Sequence, residues 1–255
     1  MCFDLDSHPP IAPISGGSLD QASLVLTGVD GNRFLAFRAR AAEPTGAGIL
    51  ILPDVRGLHP YYEELALRFA EAGVDALAID YFGRTASLGT PRDDTFDYQP
   101  HVEGTTWSGL ASDIRAAAAE IRADSVRVTK LFTVGFCFGG RVAFVTPTLG
   151  LGLAGAIGFY GSPTTPRANG TPVPVDIAGQ IEGAILGLFG GADTGIPSAD
   201  IAAFDGALKA AGVDHRLVDY EGAPHSFFDR KAADFADAST AAWAEVLGFI
   251  QSHSS

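Results

Sequence analysis

The chain has 255 residues, 47% of them hydrophobic and 18% charged, with a formal net charge of −13. That apolar content excludes a disordered chain, while no uninterrupted apolar stretch reaches the roughly 18 to 20 residues of a transmembrane helix. The acidic balance speaks against nucleic acid or a membrane as partner, because phosphate binding needs clustered Lys and Arg that this sequence lacks.

Nothing resembles a low-complexity linker long enough to separate independent folding units, so residues 1–255 read as one domain with 1–20 as an N-terminal extension. The start, MCFDLDSHPPIAP, carries Asp4 and Asp6 and lacks a basic region followed by an apolar core. It does not read as a secretory signal, and a cytoplasmic location is the default expectation. Cys2 and Cys137 are expected as reduced thiols rather than as a disulfide. The six histidines show no zinc-like spacing, so neither a metal nor a cofactor is expected.

In chain order, SLVLTGVDGNRFLAFRARAA alternates apolar and polar residues on either side of Asp30-Gly31, a turn signal, and predicts an antiparallel hairpin. GAGILILPDVRG is a short apolar strand running into a polar loop. YYEELALRFAEAG follows with Leu65, Phe69 and Ala72 at helical spacing and Gly73 as the stop. VDALAID predicts the next strand, and Leu110, Ile114, Ala117 and Ile121 mark a helix. KLFTVGF is a strand leading into a helix from about Gly139; AGAIGFYG and AILGLFGGAD are strands, with a helix carrying Ile201, Phe204 and Leu208 after them. HRLVDYEG is the last strand, and Trp243, Leu247 and Ile250 define a terminal helix. Short apolar strands alternating with amphipathic helices imply the α/β class, a mostly parallel sheet covered on both faces. Two connections, 83–107 and 162–180, are unusually long and read as candidate lids, since ligands bind at strand-end loops of open α/β sheets.

Gly135-Phe136-Cys137-Phe138-Gly139 places a thiol between glycines where a strand meets a helix. A nucleophile on so sharp a turn needs neighbours two positions away with almost no side chain. The helix N-terminus then faces the sulfur, which favours a thiolate. Alone, the pattern also suits a small buried cysteine. The later residues weigh against that, because the α/β-hydrolase plan requires an acid after a subsequent strand and then a His. Asp193, in LGLFGGADTGIP, and His225, in YEGAPHSFFD, stand in that order. His225 would move the thiol proton, and Asp193 would fix the imidazole tautomer and stabilise its cation.

These stretches resemble the dienelactone hydrolases, enzymes of the α/β-hydrolase fold. The likeness runs from about Gly46 to Ile250 and rests on GFCFGG, GGADTGIP and GAPHSFFD together with PDVRGL and DYFGR. The resemblance implies Cys137 as nucleophile, His225 as base and Asp193 as orienting acid, hydrolysing a small, anionic ester or lactone through an acyl-thioester. The fold's oxyanion hole points to the amides of Phe138 and Val55. Asp54 matches the family's thiol-contacting glutamate and is one methylene shorter. Arg84 matches an arginine-bearing loop that holds substrate carboxylate in the family, Arg230 lies one position off a second such arginine, and Arg56 is a further candidate from its place beside Asp54.

Tyr61, Tyr81, Phe82 and Trp107 are candidates to line the acyl pocket or are plain core. The expected partner is a small-molecule ester or lactone, with the protein acting as monomer or homodimer. Rival readings are a general carboxylesterase or thioesterase on the same three residues, or a non-catalytic ligand-binding or thiol redox-sensing protein.

Overall fold

The computed structural model describes residues 7–93, 95–124 and 126–254; Cys2, and with it the expectation about that thiol, lies outside them. The hairpin forms as expected from β1 (Ser18–Thr27) and β2 (Arg33–Ala41), with Gly31 at φ +82° in its turn. Next come β3 (Ala47–Leu52), α1 (Pro60–Glu71), β4 (Asp75–Ile79), the short α2 (Gln99–Glu103) and α3 (Trp107–Ile121). The second half runs β5 (Lys130–Phe136), α4 (Phe138–Val145), β6 (Gly155–Phe159), β7 (Ala184–Gly190), α5 (Ser198–Ala211), β8 (His215–Tyr220) and α6 (Ala236–Ser252).

The strands form one open sheet in the order β1-β2-β4-β3-β5-β6-β7-β8. β2 is antiparallel to both its neighbours, and every pairing from β4 through β8 is parallel. This is the α/β-hydrolase architecture the sequence implies. Strand alternation divides the core in two. Ile49, Ile51 and Phe132 face one apolar cluster with α1 and α6, while Leu50, Leu52 and Leu131 face another with α3. With both faces covered, the central strands are mostly apolar, and β3, β4 and β7 are buried at every position.

Both long connections are tied down from within. In 83–107, the Arg92 guanidinium donates to buried Asp80 at 2.7 Å and lies 4.4 Å over the Phe96 ring, which stacks on His101. In 162–180, the buried Arg141 of α4 donates to the carbonyls of Ser162, Thr165, Thr171 and Pro172. The two segments also meet, the Trp107 amide donating to the Asn169 carbonyl at 2.9 Å. Among the described residues, no helix is long and apolar enough to cross a membrane.

Candidate active site

Five strand ends, those of β3, β5, β6, β7 and β8, carry residues of the candidate site. At the end of β5, Cys137 adopts φ +54°, ψ −108°, a conformation that costs an L residue of order 1–3 kcal/mol and is held by the surrounding packing. Glycines make the turn feasible: a Cβ on Gly135 would lie 1.9 Å from the Gly139 carbonyl oxygen, and one on Gly139 would lie 2.1 Å from the Leu52 oxygen and 2.3 Å from that of Pro53. The second of these contacts has a functional meaning. It presses the loop carrying Asp54 and Val55 against the start of α4, so Val55 and Phe138, the two expected oxyanion residues, stand on adjoining backbone.

At the end of β7, Asp193 is nearly buried and its Oδ1 accepts from the Gly195 amide at 2.8 Å. Its Oδ2 lies 2.5 Å from His225 Nδ1. Burial opposes ionisation of Asp193, yet the hydrogen bond and charge of His225, with the amides of Gly195 and Ile196, hold its carboxyl below the usual carboxylate range. Gly190 lets the histidine loop approach, since a Cβ there would sit 2.4 Å from the Ala223 oxygen. The loop turns sharply after the histidine, with Ser226 at φ +64°.

Tyr160, at the end of β6, joins the halves. Its ring lies 4.8 Å from that of His225 and 6.3 Å from that of Phe136, the residue before the cysteine. Its backbone is itself left-handed, φ +38°, and its hydroxyl donates to Oδ2 of buried Asp229 at 2.6 Å. Burial pushes the Asp229 carboxyl well above its ordinary range, despite that hydrogen bond.

Asp54 is wholly buried; its Oδ1 accepts from the Arg56 amide at 2.9 Å, and its own amide donates to Tyr62 Oη at 3.0 Å. The side chain thus shapes the loop that carries Val55. His59, at the foot of α1, packs edge-on to Tyr62, and burial, helped by the charge of Arg56, lowers its pKa to about 2. Tyr61 donates its hydroxyl to the Phe228 carbonyl and is a strut of the histidine loop.

Arg84 is engaged by Asp30 in the β1–β2 turn, by Asp113 of α3 at 2.8 Å and by the Gly109 carbonyl. It is a tie between hairpin, strand-end loop and helix. Arg230 is exposed, while Arg56 is buried beside Asp54. Trp107 is half-buried at the start of α3 and packs on the core. Tyr81 packs edge-on to Phe138 with ring centroids 5.3 Å apart, and its buried hydroxyl has no hydrogen-bond partner among the described residues. Tyr62, His59, Tyr160 and Asp229 were not singled out as site residues from sequence. The only local signals were a Tyr immediately after a strand and an acid four residues beyond His225.

Comparison with known proteins agrees with this fold. The model of the family described as "Dienelactone hydrolase family" matches residues 36–254. A protein of Synechocystis sp., described as "Putative carboxymethylenebutenolidase", is 28% identical over 86% of this chain and 93% of its own length. A Bradyrhizobium sp. protein described as "Probable 2-oxo-3-(5-oxofuran-2-ylidene)propanoate lactonase" is 28% identical over 89% of this chain and 92% of its own. Among solved structures, a "Putative Dienelactone Hydrolase from Klebsiella pneumoniae" superposes with a TM-score of 0.77 at 23% identity, covering 91% of this chain and 99% of that one.

Proposed function

Because this chain belongs to the dienelactone hydrolase family and is a hydrolase of ester bonds, we propose that it opens small esters or lactones through a covalent intermediate on Cys137. The observation that carries the reading is the Asp193–His225 hydrogen bond at the same sheet edge where Cys137 is held in a left-handed elbow.

In the forward step, His225 Nε2 takes the thiol proton while Sγ attacks the acyl carbonyl. Negative charge develops on the carbonyl oxygen, where the amides of Phe138 and Val55 donate to it, each worth about 3 kcal/mol in transition-state stabilisation. Collapse of the adduct breaks the carbon–oxygen ester bond, and His225 returns its proton to the departing alkoxide. That gives an acyl-thioester and a free hydroxyl, still tethered to the acyl group when the substrate is a lactone. Water then gives a proton to His225 and attacks the thioester; its collapse restores the thiol and releases the acid. Asp193 steadies the imidazolium in both halves.

The lactonase description of the Bradyrhizobium relative supports a lactone as substrate. Arg56, buried beside Asp54, is the arginine assigned in this reading to hold a substrate carboxylate. The engagement of Arg84 equally favours a second reading, an esterase for uncharged small esters on the same three residues. The test is hydrolysis of a carboxylated lactone and of a neutral aryl ester by wild type, Cys137→Ala and Arg56→Ala. Cys137→Ala is expected to lose both activities, and full activity in that variant refutes the mechanism. A loss confined to the carboxylated lactone in Arg56→Ala supports the first reading; equal behaviour toward both substrates supports the second.

A further inference from the structure

Besides Asp193, a second acid stands behind His225 and takes no part in the steps above. Asp229 is 3% exposed and lies in the histidine's own loop. Tyr160 contacts that loop twice, through its ring against the His225 imidazole at 4.8 Å and through its hydroxyl on Asp229 Oδ2 at 2.6 Å. The Asp229 Oδ1 accepts from the next amide, that of Arg230. Loop, acid and phenol therefore close a ring, in which any swing of the imidazole plane must move a tyrosine anchored at its far end.

The tyrosine is fixed at its near end too. Its amide donates to the Leu188 carbonyl of β7 at 2.8 Å, and its ring also rests on Phe159 and Phe227. Its φ of +38° is sparsely populated for a bulky residue and persists only where surrounding contacts determine it. The hydrogen bond lies in a dry interior, where a satisfied polar pair rigidifies what it joins. Asp193 constrains the imidazole at one nitrogen and leaves rotation about that bond open; the Tyr160 ring limits that rotation.

We propose that Tyr160 and Asp229 act together as positioning residues, holding the His225 ring in the plane from which Nε2 exchanges protons with the sulfur and the leaving oxygen. Misplacement by about 1 Å in such a site costs about a hundredfold in rate in unfavourable cases. The pair should act on turnover rather than on substrate affinity, because it lies behind the base. The tilted ring contact also places aromatic density against the imidazolium formed in each half-reaction. Burial, which favours a neutral Asp229 carboxyl, is compatible with this role, since the neutral group still accepts from the phenol.

The proposal rests on His225 being the base, and the experiment separates the two. Wild type, His225→Ala, Tyr160→Phe, Asp229→Asn, Asp229→Leu and the Tyr160→Phe/Asp229→Leu double variant are compared for kcat and KM on one aryl ester, with thermal melts in parallel. Tyr160→Phe and Asp229→Leu should each lower kcat about ten- to a hundredfold with KM within about threefold. Asp229→Asn, which keeps an acceptor, should stay within about threefold of wild type, and the double variant should be no slower than the worse single. The proposal is overturned if Tyr160→Phe turns over at the wild-type rate, if the two losses multiply, if Asp229→Asn is as slow as Asp229→Leu, or if the loss is wholly in KM. It is also overturned if lost activity only follows the fraction unfolded at the assay temperature. Full activity in His225→Ala sinks the base assignment itself, whereas an inactive His225→Ala beside an unaffected Tyr160→Phe sinks only the positioning role of Tyr160 and Asp229.

Discussion

Replacing Arg84 by Met keeps an unbranched side chain and removes the guanidinium. The Asp113 carboxylate it leaves behind is 1% exposed and, among the described residues, retains only the Asn32 side-chain amide at 3.1 and 3.2 Å. Burial already pushes the Asp113 carboxyl upward against the pull of Asn32 and Arg84, so losing the cation isolates a poorly solvated charge. Breaking a fully buried pair costs about 3 to 5 kcal/mol. The Arg84 side chain is 25% exposed, so water offsets some of that, and about 2 to 3 kcal/mol is expected. At about 2 to 4 °C per kcal/mol for a domain of this size, the midpoint should fall by about 4 to 12 °C. The assay is a thermal melt beside kcat/KM for a carboxylated lactone and a neutral ester, with Asp113→Asn and the double variant closing a thermodynamic cycle. The preference between substrates should stay at its wild-type value, and the cycle should show positive coupling. An unchanged midpoint with a selective loss on the carboxylated substrate refutes the structural role and returns Arg84 to the pocket.

Asp193→Asn leaves the shape of the site and removes the charge that orients His225, so kcat should fall by about 10⁴ with little change in melting midpoint; a loss under tenfold contradicts the assigned role. Gly139→Ala should fail to yield folded protein, because its methyl would meet two backbone oxygens at 2.1 and 2.3 Å; a melting curve like that of wild type speaks against the close approach of the oxyanion loop. His59 is kept neutral down to about pH 2 when folded and takes a proton near 6.5 when unfolded. The unfolded state therefore binds more protons below pH 6.5, and stability falls as pH drops, by up to about 1.4 kcal/mol per unit. Between pH 7 and 5, urea unfolding should show wild type losing about 2 kcal/mol more than His59→Gln, and equal losses would exclude a buried neutral histidine. Tyr81→Phe removes a buried hydroxyl that has no partner among the described residues, so its midpoint should equal or exceed that of wild type; a clear drop would mean that the hydroxyl is hydrogen-bonded in solution.

What sequence made legible was local. KLFTVGF reads as a strand because it is apolar, short and followed by a turn, and β5 occupies those seven residues. Asp30-Gly31 reads as a hairpin turn because glycine reaches φ +82° without strain. Cys137 and Asp193 were legible as candidates for the same reason, each being the first chemistry-bearing residue after a strand, and His225 was legible from its place in the loop after the last strand. The ion pairs of Arg84 were not legible because its carboxylates lie 54 and 29 residues away, on elements whose packing against that loop no local pattern announces. Asp229 and Tyr160, 69 residues apart, escaped attention likewise.

The same contrast bears on the two long connections. Length alone marks a segment as a possible cover, since a connection with no regular structure has few intrinsic contacts. It says nothing about a buried cation beneath it. Arg141, four residues after Cys137, satisfies four carbonyls of 162–180, and burial lowers its pKa to about 10, still charged at neutral pH. Arg92 fastens 83–107 to Asp80, whose Oδ1 also accepts from the Leu58 amide just beyond the oxyanion loop. One long segment is thus anchored to the helix that follows Cys137, the other to Asp80, which also holds the loop beyond Val55 through the Leu58 amide. A change that loosens either segment should therefore disturb turnover before it disturbs the fold.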